Sequence, residues 1–153
     1  MTDQRFEEPL APLQILLIED DPSDARLTGV ALRDVAPEHE LTVIADGPTA
    51  LRYLRRHPPS VDAPKPDLIL LDLNLPGMHG HEVLSEIKSD PGLRSIPVNV
   101  LTTSARPADV VTSYERYANA YVTKPMDLYD YLEVLRQVTR FWSRTARTPE
   151  EAA

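Results

Sequence analysis

Short, wholly apolar runs alternate along this chain with segments whose apolar residues recur at helical spacing. Ile15-Leu16-Leu17-Ile18 is such a run, the pattern of a strand buried on both faces of a parallel sheet. Asp21-Pro22 follows, a helix N-cap and a proline at the first helical position, and Leu27, Val30, Ala31 and Asp34 or Val35 then recur at helical spacing. Leu41 to Ala45 predicts a second strand, and Pro48 to Arg56 a helix with Ala50, Leu51 and Leu54 inward. A proline-rich loop over 58–66 leads to Leu68-Ile69-Leu70-Leu71, the most apolar strand of the chain. The pattern next predicts a helix over 81–88 carrying Val83, Leu84 and Ile87, a strand over 98–101, a helix over 107–114 and a short strand over 120–123. Asp127 caps a last helix with Leu128, Tyr131, Leu132, Leu135, Val138 and Trp142 on one face.

Five strands and five helices in strict alternation predict right-handed crossovers and a doubly wound α/β fold, its parallel sheet covered on both faces. A length of 153 residues suits one domain. The expected boundaries are a flexible arm over 1–13, one domain over 14–146 and a disordered tail over 147–153. There are 24 acids against 16 bases, a net charge of −8, which argues against nucleic acid or an anionic membrane as a main partner. Cysteine is absent, which excludes disulfides, thiolate catalysis and Cys-based metal centres. No apolar run approaches the roughly 20 residues that span a bilayer. The acidic N-terminus lacks a signal peptide's apolar stretch, so a cytoplasmic location is expected.

Candidate chemistry follows from where the strands end. In open α/β sheets ligands bind beyond the carboxyl ends of the strands. The first strand ends in Glu19-Asp20-Asp21, the third in Asp72, the fourth in Thr102-Thr103-Ser104 and the fifth in Lys124-Pro125. Any one of these is as readily a helix cap as a site residue; all four at one rim are harder to ascribe to chance. Clustered carboxylates repel unless a cation or a lysine is near. Hard oxygen ligands with room for water suit magnesium, which in turn prefers phosphate oxygens. A lysine, a hydroxyl and a metal form a clamp for a transferring phosphoryl group, and a carboxylate inside it can be the nucleophile.

The segments Ile-Glu-Asp-Asp at 18–21, Leu-Leu-Asp-Leu-Asn-Leu-Pro-Gly at 70–77, Leu-Thr-Thr-Ser at 101–104 and Tyr-Val-Thr-Lys-Pro at 121–125 resemble the receiver domains of two-component response regulators. The resemblance spans about residues 14–142. The longer phrases at 66–76, 96–104 and 118–125 are similar to the stand-alone regulators paired with bacterial phytochromes. It implies a flavodoxin-like three-layer sandwich of strand order 2-1-3-4-5, phosphorylated by a sensor histidine kinase. Asp72 would be the phosphoacceptor. Asp20, Asp72 and the backbone carbonyl of Asn74 would ligate Mg2+, with Glu19 acting through a bound water. Lys124 and Thr102 would hold phosphoryl oxygens, and Tyr121 would turn inward when Thr102 is drawn to the phosphoryl group. Asn74 and Ser104 would tune how water reaches the acyl phosphate. Such a protein catalyses only its own phosphorylation and dephosphorylation, and its output is a protein contact or a further phosphotransfer partner. His79 departs from the family pattern, which usually has an acid before Gly80.

Two rivals differ in class. A haloacid-dehalogenase-type phosphatase shares the strand-end Asp, Thr or Ser and Lys, but needs a second Asp two residues after the nucleophile, where this chain has Asn74. An unphosphorylated scaffold has no need of the intact set Glu19, Asp20, Asp72, Thr102 and Lys124. His79 and His81, two apart, do not face each other on a helix and are expected at the surface. His39 and His57 carry no expectation. Seven of nine aromatic residues fall between 114 and 142, more than one helix face buries. The expected consequence is a homodimer through the last two helices and the fifth strand, with the Arg136, Arg140 and Arg144 stripe beside it.

Overall fold

The computed structural model describes residues 12–57 and 60–149. Each apolar run is a strand because, with no polar side chain on either face, it has to be covered on both. The chain runs β1 (Gln14–Ile18), α1 (Pro22–Val35), β2 (Glu40–Ile44), α2 (Gly47–Leu54), β3 (Leu68–Leu71), α3 (Gly80–Ser89), β4 (Val98–Thr102), α4 (Pro107–Glu115), β5 (Ala120–Thr123) and α5 (Leu128–Arg140), then a π-helical turn over Phe141–Thr145. The strands are parallel in the order β2-β1-β3-β4-β5.

The alternation of side chains splits each central strand between two cores. Leu16, Ile18, Ile69, Leu71, Val98 and Val100 face α2 and α3, where Ala50, Leu51, Leu54, Val83, Leu84 and Ile87 meet them. Ile15, Leu17, Leu68 and Leu70 face α1 and α5, where Ala31, Leu32, Tyr131 and Leu135 meet them. Each fully buried Leu or Ile contributes about 1.5–3 kcal/mol. Asp21, Asp46 and Asp127 stop the extended segments and start α1, α2 and α5. Asp21 Oδ1 accepts from the Ser23 and Asp24 amides, Asp46 from Thr49, Asp127 from Asp130. Among the described residues no helix is long and apolar enough to cross a membrane.

Some sequence expectations shift. The spacing of Leu27 and Val30 does not mark the buried side of α1: both are exposed, and Thr28, Ala31 and Leu32 face inward. Thr28 is tolerated there because its hydroxyl shares a 2.5 Å hydrogen bond with the Tyr131 phenol of α5. Leu128 is also exposed. Leu13, assigned to the arm, is core, and Thr148, assigned to the tail, is buried. Thr148 and Pro149 close a small recess against Lys65, Pro66, Asp67, Ser95, Ile96 and Pro97. The rest of the expected arm and tail, 1–11 and 150–153, lies outside the described residues, as do 58 and 59 of the proline-rich loop.

His39, for which the sequence carried no expectation, is a buried fastening at the amino end of β1. Its Nδ1 accepts from the Leu13 amide at 3.0 Å, while Asp67 Oδ2 accepts from Gln14 at 2.8 Å. Burial pushes the His39 pKa below its ordinary 6.5, against the opposing pull of Glu38 and Asp67. A group whose folded pKa is depressed leaves stability whole above the unfolded value and erodes it as pH falls below. Urea unfolding is therefore expected to show stability dropping below pH 6.5. In His39→Asn, which keeps an acceptor for Leu13 without titrating, the drop is smaller. An equal drop in both would remove His39 as the cause.

Candidate functional site

β1 lies between β2 and β3: the chain leaves it for β2 on one side and then crosses from β2 to β3 on the other. The crevice between the carboxyl ends of β1 and β3 is therefore the switch point at which such sheets bind ligands. Backbone bonds set the strand ends around it: Glu19 N donates to Ile44 O at 3.0 Å, Asp72 N to Ile18 O at 3.1 Å and Lys124 N to Thr102 O at 2.7 Å. These bonds deliver three charged side chains to one point. Lys124 Nζ donates to Glu19 Oε1 at 2.7 Å and to Asp72 Oδ2 at 3.3 Å, with Asp24 Oδ2 at 3.9 Å. Glu19 and Asp72 are buried. A buried ion group of this kind adds little net stability, so its value is positional.

The two carboxyls are shifted in opposite directions. Burial pushes Glu19 up to about 7, the Asp72 carboxylate beside it adding to the shift and Lys124 opposing it. Burial works against the Asp72 charge as well, but Glu19, the Asn74 amide donating to Oδ1 at 3.0 Å, and Lys124 outweigh it and hold Asp72 below its ordinary value. Burial works against the Lys124 charge too, yet the bond to Glu19 and the two carboxylates raise its pKa. The nucleophilic form of Asp72 is thus favoured, with a cation in contact.

The remaining expected residues lie around this trio without joining it. Asp20 is half-buried and makes no hydrogen bond or ion pair to it. Asp21 serves α1 as its cap. Thr102 is fully buried at the end of β4, and its Oγ1 accepts from the Ser104 amide at 3.4 Å. Tyr121 is half-buried, its phenol donating to the Ser104 carbonyl at 2.7 Å. The Asn74 side chain is exposed. Asp24 was missed by the strand-end rule because it sits in the first turn of α1. His79 caps α3, its Nδ1 accepting from the His81 amide at 3.1 Å. His81 is not at the surface as expected: it is buried, with Nε2 3.0 Å from Ser113 Oγ of α4.

Glycine packing fixes the floor of the site. A Cβ at Gly80 would lie 2.5 Å from both the Asp72 carbonyl oxygen and Leu73 Cα. Only glycine lets the start of α3 lie against the backbone that carries Asp72.

The donor chemistry suits a hard divalent cation. Among the described residues no three His, Cys, Asp or Glu side chains already converge as a metal cluster. However, Glu19 Oε2 is buried with no hydrogen-bond partner, an acceptor that a cation or its bound water would satisfy.

Comparison with known proteins agrees with this geometry. A family model described as the response regulator receiver domain matches residues 15–136. The chain is 43% identical to the response regulator Rcp1 of Synechocystis sp., over 94% of this chain and 97% of that protein. A crystal structure of the phosphorylated cyanobacterial phytochrome response regulator RcpA superposes with a TM-score of 0.86 at 44% identity, covering 91% of this chain and 99% of that one. The Mn2+-bound form of Rcp1 superposes at 0.82 with 43% identity, covering 90% and 99%.

Proposed function

The chain belongs to the response regulator receiver domain family, and on that premise we propose that it acts as a stand-alone regulator, taking a phosphoryl group onto Asp72 from the phosphohistidine of a sensor histidine kinase. It is a receiver, not a phosphatase: family, fold and the Asn at 74 all set the haloacid-dehalogenase alternative aside. Neither rival is needed to explain the rim. The observation that carries the proposal is the Lys124 ammonium held by both Glu19 and Asp72 at the switch point.

In the transfer, the P–N bond of the donor breaks as a bond forms from phosphorus to an Asp72 carboxylate oxygen, and the histidine, which carries a proton on its other ring nitrogen, keeps the P–N electron pair and leaves as neutral imidazole. Asp72, held ionised, supplies the electron pair. Lys124 lies in reach of the oxygens that gain charge, and Thr102, at the neighbouring strand end, supplies a hydroxyl. Glu19, Asp20, Asp72 and the Asn74 carbonyl would hold Mg2+, which when bound neutralises the carboxylates and the phosphoryl oxygens. Tyr121 would couple the phosphoryl group to the outer face of β5. The donor of greatest interest is a phytochrome-type kinase, given the regulators this chain resembles. Incubation with a phosphorylated kinase domain and Mg2+ is expected to move one phosphoryl group per chain, and to move none in EDTA. Steady release of phosphate from generic monoesters would instead favour a phosphatase.

A second expectation concerns the metal. Mg2+ binds the folded state and should raise the melting temperature by mass action, by about 2.7 kcal/mol of stability at a concentration 100 times Kd. Asp20→Ala is expected to remove that gain and leave the metal-free fold intact. An unchanged response would put the cation elsewhere.

Homodimerisation through α4, β5 and α5 fits the exposed surface. Tyr131 and Trp142 are drawn toward the α1 side, but Tyr114, Tyr117, Tyr129 and Phe141 remain exposed, as do Val111 and Met126. Tyr129 is 81% exposed and Tyr117 75%. Such an apolar patch is costly in water. Of the arginine stripe, Arg136 already pairs with Glu133 on its own helix, and Asp109 accepts a hydrogen bond from Ser104, so Arg140 and Glu115 are the charges left to pair across a two-fold axis. Sedimentation at several concentrations, with and without a phosphoryl mimic, is expected to show a dimer weakened by Tyr129→Asp. A strict monomer in both states would refute it.

A further inference from the structure

Helix α4 is held differently from the other four. Its one buried residue is Ser113, and no α4 side chain belongs to either apolar core. What fastens it is polar. Ser113 meets His81 of α3 at 3.0 Å, Arg116 just beyond α4 donates to Ser85 of α3 at 3.2 Å, and the Tyr121 amide of β5 donates to the Tyr114 phenol at 3.1 Å.

We propose that His81 is a positioning residue, a buried hydrogen-bonded peg that holds α4 to α3 and through α4 steadies the Ser104 side of the rim, and that it lets α4 go when it takes a proton. The hydrogen count fixes its state. The Ser113 hydroxyl spends its single hydrogen on the Asp109 carbonyl at 2.7 Å, so it can only accept from His81, and Nε2 carries the ring hydrogen. From Ser113 the bonds continue. The Asp109 carboxylate accepts from Ser104 Oγ at 2.5 Å, and the Ser104 carbonyl accepts from the Tyr121 phenol. One polar run therefore joins α3, α4, the end of β4 and β5.

The groups that face His81 are His79 at the cap of α3, its ring centroid 4.9 Å away, and Asp109 and Arg116 from the α4 side. Burial first, then His79 and Arg116, hold His81 below its ordinary 6.5, with Asp109 opposing. Since Nε2 already carries the ring hydrogen, a proton taken up by His81 goes to Nδ1 and makes a buried cation beside the Arg116 guanidinium, with the Asp109 backbone carbonyl and carboxylate opposing that cost. The peg is whole above pH 6.5 and loosens as pH falls below it. The holding of α4 stands on these contacts alone; its effect on phosphoryl transfer rests on the function proposed above.

Hydrogen exchange of the α4 amides in the full chain, without any phosphodonor, tests the peg from about pH 7.5 to about pH 5.5, each rate expressed as protection and normalised to β3. In the wild type, α4 protection is expected to fall severalfold across that range. His81→Gln keeps a donor for Ser113 without titrating and should hold its protection flat, and His81→Phe should be poorly protected throughout. Equal pH dependence in the wild type and His81→Gln would overturn the proposal, whether or not His81→Phe folds. The lifetime of the acyl phosphate, followed after a pulse of acetyl phosphate, is expected to change with pH in the wild type more than in His81→Gln. If no acyl phosphate forms while α4 exchange behaves as stated, the phosphoryl reading fails and the peg stands.

Discussion

Asp72→Asn is expected to end phosphoryl labelling altogether. The wild-type chain, treated with acetyl phosphate and Mg2+, should gain one phosphoryl group by intact mass, and the variant none. An amide oxygen has no electron pair of carboxylate strength to offer phosphorus, and no neighbouring group is placed to substitute. Glu19 is buried, and its Oε1 is already taken by the Lys124 ammonium at 2.7 Å. Asp20 is not among the carboxylates paired with Lys124, which are Glu19, Asp24 and Asp72. The fold should survive the change. Lys124 keeps its 2.7 Å bond to Glu19, and the Asn side-chain oxygen can still accept from the Asn74 amide. A shift in unfolding free energy within about 1 kcal/mol is expected, since one buried charge leaves with no void opened. Labelling that persists in the variant would place the acceptor elsewhere.

Gly80→Ala is expected to cost more stability than alanine at any of the other four glycines. Its Cβ would meet the Asp72 carbonyl oxygen and Leu73 Cα at 2.5 Å, and both are backbone atoms of a buried strand end that cannot swing aside. Relief requires α3 to lift. That would break the 2.9 Å bond from the Gly80 amide to the Leu73 carbonyl and loosen Val83, Leu84 and Ile87 against β3. Overpacking of this kind costs roughly 3 kcal/mol, at the upper end of the usual range. Gly92→Ala is the control: its nearest neighbour would be a side-chain oxygen of Asp90 at 3.4 Å, and it should change stability by under about 1 kcal/mol. Urea unfolding of the two variants decides the matter, and equal stability would show that α3 yields more easily than its contacts imply. Because the same backbone carries Asp72, labelling should also slow in Gly80→Ala.

The layers were legible because four-residue runs such as Leu68 to Leu71 have one physical solution, a strand covered on both faces. The rim was legible for a related reason: parallel strands bring all their carboxyl ends to one edge, so Glu19 and Lys124, 105 positions apart, could be paired without any local signal. What escaped was burial decided by a distant partner. Thr28 is inside because Tyr131 is there to bond it, and His81 because Ser113 is. Hydropathy counts such polar residues as surface, since it cannot see the partner that satisfies them. The exposed Leu27 and Val30 are the same error reversed. Leu13 and Thr148 were placed outside the domain because prolines and charges beside them look like chain ends, while the contacts that bury them come from His39, Asp67 and Pro97. The roles at the rim came from the family resemblance; the placement of the side chains is consistent with them for Glu19, Asp72 and Lys124 and leaves Asp20 apart.

The recess that takes Thr148 lies beside Asp67 and Pro97, the residues that lead into β3 and β4, and Leu13 leads into β1 nearby. Residues 12 and 149 therefore both leave this body at the pole opposite the rim. For anyone attaching a fluorophore, an affinity handle or a second protein, the geometry is convenient. A label joined at either position stands about a full strand length from Asp72, leaves the rim clear, and senses a change at Asp72 only through motions carried across the sheet.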